Sequence, residues 1–170
     1  PDVTFSKEVS TKIDNTNRQC GKFGYKLFQY HKYHLFTPFF KQWRYVFYID
    51  CGAKIYNNIA PILQTATPDT LLAHSDAYPT YQWKLRCQLL EKLDLDLDLD
   101  LDTDYFQSTI MLFDTNIIED NTFQQLYKLT EKYPVSTTND QGILNLYFKK
   151  KWKQIPMGDD TTYYYDFNIR

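Results

Sequence analysis

Runs of apolar residues alternate along the chain with segments of helical spacing, and their order predicts the elements. VTFS (3–6) reads as a short strand, and the polar stretch 7–19 starts a helix near Asn15 or Asn17. GYKLFQY (24–30) reads as a strand opened by Gly24. In YHKYHLFTPFFKQW (30–43), Tyr33, Phe36, Phe39, Phe40 and Trp43 recur at helical spacing, with Pro38 as a kink or boundary. YVFYID (45–50) is a continuous hydrophobic run, the pattern of a strand covered on both faces. NNIAPILQT reads as a short helix capped by Asn58, and TLLAHSDAY as a strand whose end turns polar. YFQSTIMLFDT (105–115) is a further strand. NTFQQLYKLTEKYP (121–134) is a helix capped by Asn121, with Phe123, Leu126, Tyr127 and Leu129 on its apolar face. TNDQGILNLYFKKKW (138–152) places Asn139 or Asp140 at another helix start, and the aromatic tail ends in a strand. This alternation predicts an α/β fold, a single mixed sheet flanked by helices.

One tract stands apart. LDLDLDLDLD (93–102) puts Leu on one face and Asp on the other if extended, yet Asp is a poor strand former. Its same-face carboxylates would sit about 7 Å apart. It reads as a solvated low-complexity insertion rather than a calcium ladder.

Composition narrows the function. A length of 170 residues suits one domain, here 1–170, with a sizeable core. A net charge of -2 gives no basic footprint, so nucleic acid is not an expected partner. No apolar run reaches the roughly 18 residues of a membrane span. Three separated cysteines favour reduced thiols and a cytoplasmic setting. Cys51, without a basic neighbour, is expected to be buried and inert. The bias toward Tyr, Asn, Lys, Asp and Ile suits an AT-rich source such as a virus. The chain begins with Pro1, so an upstream piece is expected. The 15 tyrosines supply either core or a ring-lined cleft, and Tyr78, Tyr81 and Trp83 read as packing residues or as rings that stack on a ligand.

Ligands of open α/β sheets bind at strand ends. The polar residues there are Asp50, Asp76, and Gln107 with Ser108. Asp140 and Gln141 start a helix that could face the same edge. Convergence of these groups would make a pocket for a hydroxyl-rich or phosphorylated ligand.

The order of these segments resembles a GT-A nucleotide-sugar glycosyltransferase of the retaining, galactosyltransferase-like kind. The matching pieces are YHKYHLF, FKQWRYVFYID with CGAKIYNNIAPIL, AHSDAY, YFQSTIMLFDTN and NDQGILNLYF. The resemblance implies transfer of a hexose from a nucleotide-sugar donor, UDP-sugar favoured, to a hydroxyl of a glycan or protein. It implies Asp140 and Gln141 as catalytic residues, and donor contacts from Lys32, Asp50, Gly52, Asp76, Gln107 and Ser108. It also implies a divalent cation, Mn2+ or Mg2+, on Asp50. The departure lies in Asp50-Cys51-Gly52, where the second acid of a DxD motif is glycine. A cation that bridges a diphosphate needs hard oxygen ligands, and Asp50 supplies one. Asp159, Asp160 or Asp166 could substitute, or Lys32 or Lys54 could neutralise phosphate without metal. The rival readings are a sugar- or nucleotide-binding domain without turnover, which Gly52 favours, a glycoside hydrolase using Asp76 and Asp140, and a nucleotidyltransferase.

Overall fold

The structure is a computed structural model that describes residues 2–24, 26–53, 55, 58–75, 105–134, 136, 138–149 and 151–155. Asp76, Lys54, the Leu-Asp tract, the aromatic candidates at 78–83 and the tail acids lie outside the described residues.

The sheet has four strands among the described residues: β1 (Tyr45–Ile49), β2 (Leu71–Ser75), β3 (Phe106–Asp114) and β4 (Trp152–Gln154). Their order is β1-β3-β2-β4. β3 runs antiparallel to β1 and β2, while β4 runs parallel to β2. The carboxyl ends of β1, β2 and β4 therefore share one sheet edge with the amino end of β3. β3, in the middle, is buried over most of its length. β1 is half-buried rather than covered on both faces, because it lies at the rim of the described sheet and opens with the exposed Tyr45.

Adjacent residues of β3 feed two cores, as strand alternation requires. Met111 and Phe113 join Tyr30, Tyr33, Phe36, Leu126, Ile143, Leu144 and Phe148 on one face. Ile110 and Leu112 join Ile62, Leu72 and Ile155 on the other. The helices are α1 (Lys7–Gln19), α2 (Ala60–Gln64), α3 (Thr122–Lys132) and α4 (Asp140–Tyr147). Asn58 Oδ1 accepts from Ala60 N (2.9 Å) just before α2, but the N-cap position itself is Ile59, one residue later than expected.

Three expected elements differ. Residues 3–6 form no strand; Ser6 instead caps α1, its hydroxyl accepting from Val9 N (3.2 Å), and the helix then spans all of Lys7–Gln19. The strand expected at 24–30 and the helix expected at 30–43 are replaced by two 3-10 segments, Leu27–Phe36 and Pro38–Gln42. A 3-10 helix repeats every three residues, so side chains at i and i+3 eclipse. Tyr30, Tyr33 and Phe36 form such a row, and all three are buried. The Tyr33 hydroxyl pairs with Thr130 Oγ1 at 2.7 Å, which satisfies its polar end inside the core.

Candidate functional site

The same period of three builds one wall of a cleft. With Tyr30, Tyr33 and Phe36 turned into the core, the other two rows of the segment, Phe28-His31-His34 and Gln29-Lys32-Leu35, line an opening of about 490 Å3. The far wall is Tyr48, Asp50, Cys51, Gly52 and Ala53, and Thr109 of β3 completes it. This cleft lies at the sheet edge where β1 ends.

Asp50 extends the ladder one residue past β1, its N–H donating to Thr109 O (2.9 Å). Ala53 N then bonds Asp50 O (2.9 Å) and turns the chain through Cys51 and Gly52. Tyr48 and Asp50, two apart, share a strand face, and the Tyr48 hydroxyl donates to Asp50 Oδ1. Cys51 is exposed in this turn, not buried as expected, because the strand has already ended.

Lys32 reaches across the cleft floor. Its Nζ lies 3.2 Å from Asp50 Oδ1, 3.0 Å from Asp140 Oδ2, 3.0 Å from Ser108 Oγ and 3.1 Å from Ser108 O. It also stands 5.2 Å from the centre of the Tyr48 ring, a cation–π distance. The Lys32 and Asp140 side chains are 8% and 4% exposed, while Asp50 is 39% exposed. An ammonium has three N–H bonds, so Lys32 is saturated by these oxygens. Asp50 is the member of the cluster with open surface.

Asp140 lies behind Lys32 at the first turn of α4. Ser108 Oγ donates to Asp140 Oδ2 (3.0 Å). Burial pushes the Asp140 carboxyl above the usual aspartate range, against the lowering pull of Lys32 and Ser108. Gln141 Oε1 accepts from Ser108 N (3.1 Å), and Asn145 Oδ1, one helical turn on, accepts from Phe106 N (2.9 Å). Asn145 Nδ2 donates back to Phe106 O (2.8 Å). Two amides on one face of α4 thus bond the start of β3 much as a neighbouring strand would.

A register break positions Ser108. From Ala73 to Ser75 of β2, the partner on β3 moves from Met111 to Phe106, so β3 carries surplus residues there. Face alternation is lost at this bulge. Ser108 meets Lys32 while the adjacent Thr109 lines the same cleft.

Five of the residues expected from sequence, Lys32, Asp50, Ser108, Asp140 and Gln141, therefore meet in one bonded cluster. Gly52 lines the cleft beside it. Gln107 is half-buried next to Ser108 in β3 and is not among the residues that bond Lys32. Sequence reasoning missed Tyr48, whose signal was its place two residues before Asp50, and Asn145, whose signal was its spacing of four from Gln141. It also missed Thr109, whose place two residues before Met111 sets both on one face of β3.

The divalent cation implied by resemblance needs several hard oxygens. Asp50 Oδ1 is already held by Lys32 and Tyr48, and Gly52 has no side-chain ligand. Among the described residues no group of three His, Cys, Asp or Glu side chains is arranged to hold a metal. The described donor set does not fit the ion. No helix among the described residues is long and apolar enough to cross a membrane.

Among curated proteins no relative matches the chain. The model of the family described as glycosyl transferase family 8 does match, over residues 3–168. That match spans nearly the whole chain and agrees with the mixed α/β sheet, so this chain belongs to glycosyl transferase family 8, glycosyltransferases that use nucleotide-sugar donors.

Proposed function

We propose that the chain transfers a hexose from a UDP-sugar to a hydroxyl of a glycan or protein with retention of anomeric configuration, and that the Lys32 cluster is the floor of the donor site. The observation that supports this reading is the cluster's composition at the sheet edge: two carboxylates share one buried ammonium, and Asp50 opens onto a cleft. Carboxylates accept hydrogen bonds from hydroxyls, and Asp50 is suited to a ribose or sugar hydroxyl.

In transfer, the bond between the anomeric carbon and the diphosphate oxygen breaks, and the acceptor oxygen bonds to that carbon. The acceptor's proton leaves with the diphosphate. Positive charge develops on the sugar ring on the way. With Asp50 and Asp140 ionised around one Lys32, the cluster is net negative and favours that charge. Asp50 forms the ligand side of the cluster, and Lys32 holds it in place. Asp140, Ser108 and Gln141 act through it by fixing the ammonium and the start of β3. Asp76, outside the described residues, is proposed to hold sugar hydroxyls. Family members typically use a divalent cation, but the described donor set does not fit one.

Calorimetric titration with a panel of UDP- and GDP-sugars, with manganese and with chelator, tests the reading. One UDP-sugar is expected to bind, and Asp50→Asn to weaken it roughly tenfold or more, the loss of a hydrogen bond to a charged group. Failure of every donor to bind a folded sample would overturn it.

A further inference from the structure

A buried contact spans the molecule from α1 to the residue before Asp140. Asn17 Nδ2 donates to Asn139 Oδ1 (2.8 Å), and Asn139 Nδ2 returns a bond to Asn17 Oδ1 (3.2 Å). Both residues are 2% exposed. Asn17 is itself fixed, its Nδ2 also reaching Ile13 O one helical turn back (3.0 Å).

Asn139 has an unusual backbone, with φ 52° and ψ -119°. The turn it belongs to is closed by Gln141 N on Thr138 O (3.2 Å). These angles are those of the first corner of a type II′ turn, a position that glycine fills most easily. A non-glycine residue held there carries strain that its surroundings must support. The reciprocal amide pair supplies that support. Packing adds to it: a Cβ on Gly142 would stand 2.1 Å from Ser136 Oγ, so the strand of chain before the turn lies close against α4. The next residue after this corner is Asp140, whose carboxylate meets Lys32 and Ser108.

We propose that Asn17 and Asn139 are positioning residues for the transfer reaction: their reciprocal amide pair holds the II′ corner that aims Asp140 at Lys32. The inference rests on the reading of Asp140 given above. α1 thereby acts as a brace for the site, although it contributes no residue to the cleft wall.

The test is turnover with the donor identified by calorimetry, measured well below the melting temperature of each variant. Asn17→Ala leaves the corner unsupported. It is expected to lower kcat about tenfold or more, as a small misplacement of a catalytic constellation does, with little change in donor KM. Asn17→Ala combined with Asn139→Gly is expected to recover most of kcat, because glycine holds the corner unaided. A purely structural role would not predict this rescue. Should Asn17→Ala fail to fold, the double variant alone decides, since it must fold and turn over. Full kcat in Asn17→Ala with only a lowered melting temperature overturns the proposal, as does a folded double variant without turnover. Asp140→Asn is run in parallel. Loss of turnover there together with full turnover in Asn17→Ala defeats the brace alone. Full turnover in Asp140→Asn defeats the reading of Asp140, and the brace with it.

Discussion

Two buried aspartates stand near opposite ends of β3, and they are held in different ways. Asp114, 0% exposed, accepts backbone N–H groups from Asp69 (2.9 Å) and Asn116 (2.9 Å), and meets Arg44 Nη2 at 2.8 Å. Asp69 has a left-handed backbone, φ 53°, and Asn116 lies within the 3-10 turn Thr115–Ile117 that follows β3. Asp114 therefore fixes two turns at once, and its cation, Arg44, is more than half exposed. Asp140, 3% exposed, is met by the side chains of Lys32 and Ser108. Its cation is buried with it and is shared with a second acid, Asp50. Equal burial does not mean equal role. A carboxylate bonded by backbone N–H groups stabilises the chain's path, whereas one held by a shared buried ammonium sits in a charge cluster that a ligand in the cleft can perturb.

The comparison is broken most forcefully at Lys32. Lys32→Met leaves Asp140 buried without its counter-charge, and stripping one partner from a buried ion pair costs about 3–5 kcal/mol. Urea unfolding is expected to show that loss, together with loss of turnover. Full stability would mean that Asp140 is not ionised in the fold.

The next largest effect separates the two acids. Asp140→Asn keeps the shape and removes a charge whose burial is unfavourable, so stability is expected to change by less than about 1 kcal/mol while kcat falls roughly 100-fold. Asp114→Asn is expected to do the reverse. It weakens three charge-assisted bonds, costing about 1–3 kcal/mol, and leaves kcat intact below the melting point. Equal kcat losses in both variants would erase the distinction.

The smallest expected effect is on pH dependence. The folded carboxyl of Asp140 is raised above its ordinary value, mainly by burial. The folded state then holds that proton more tightly than the unfolded chain. Its contribution to stability is fully present below the ordinary aspartate value and is lost as pH rises through the raised folded one. Wild type minus Asp140→Asn stability, followed by urea titration across pH, is expected to fall over that window. Turnover is expected to move the opposite way, declining as pH drops through the raised value. A flat difference would place the charge elsewhere.

Much of this was readable from the chain. The apolar runs at 45–50, 71–75 and 105–115 announced their strands because short, nearly continuous apolar stretches suit a sheet interior. Polar residues at strand ends and at a helix start named Asp50, Ser108, Asp140 and Gln141, whereas only the family resemblance named Lys32. The region 24–36 misled because a 3-10 period of three lies between the periods of strand and helix. Its clue, aromatic residues at 30, 33 and 36, was legible only as a strict spacing.

The sequence by itself determined most of the strands and helices, which residues carry charge, and that Gly52 brings no side-chain ligand beside Asp50. Tertiary structure decided the rest. It brought Lys32, Asp50 and Asp140 to one point from three separate segments, left Asp50 open while burying Asp140, and paired Asn17 with Asn139. Local periodicity reports the face a side chain takes, but not which distant segment meets it. That meeting is set by sheet register and core packing, and here a register break in β3 and a 3-10 segment turned toward it made the site.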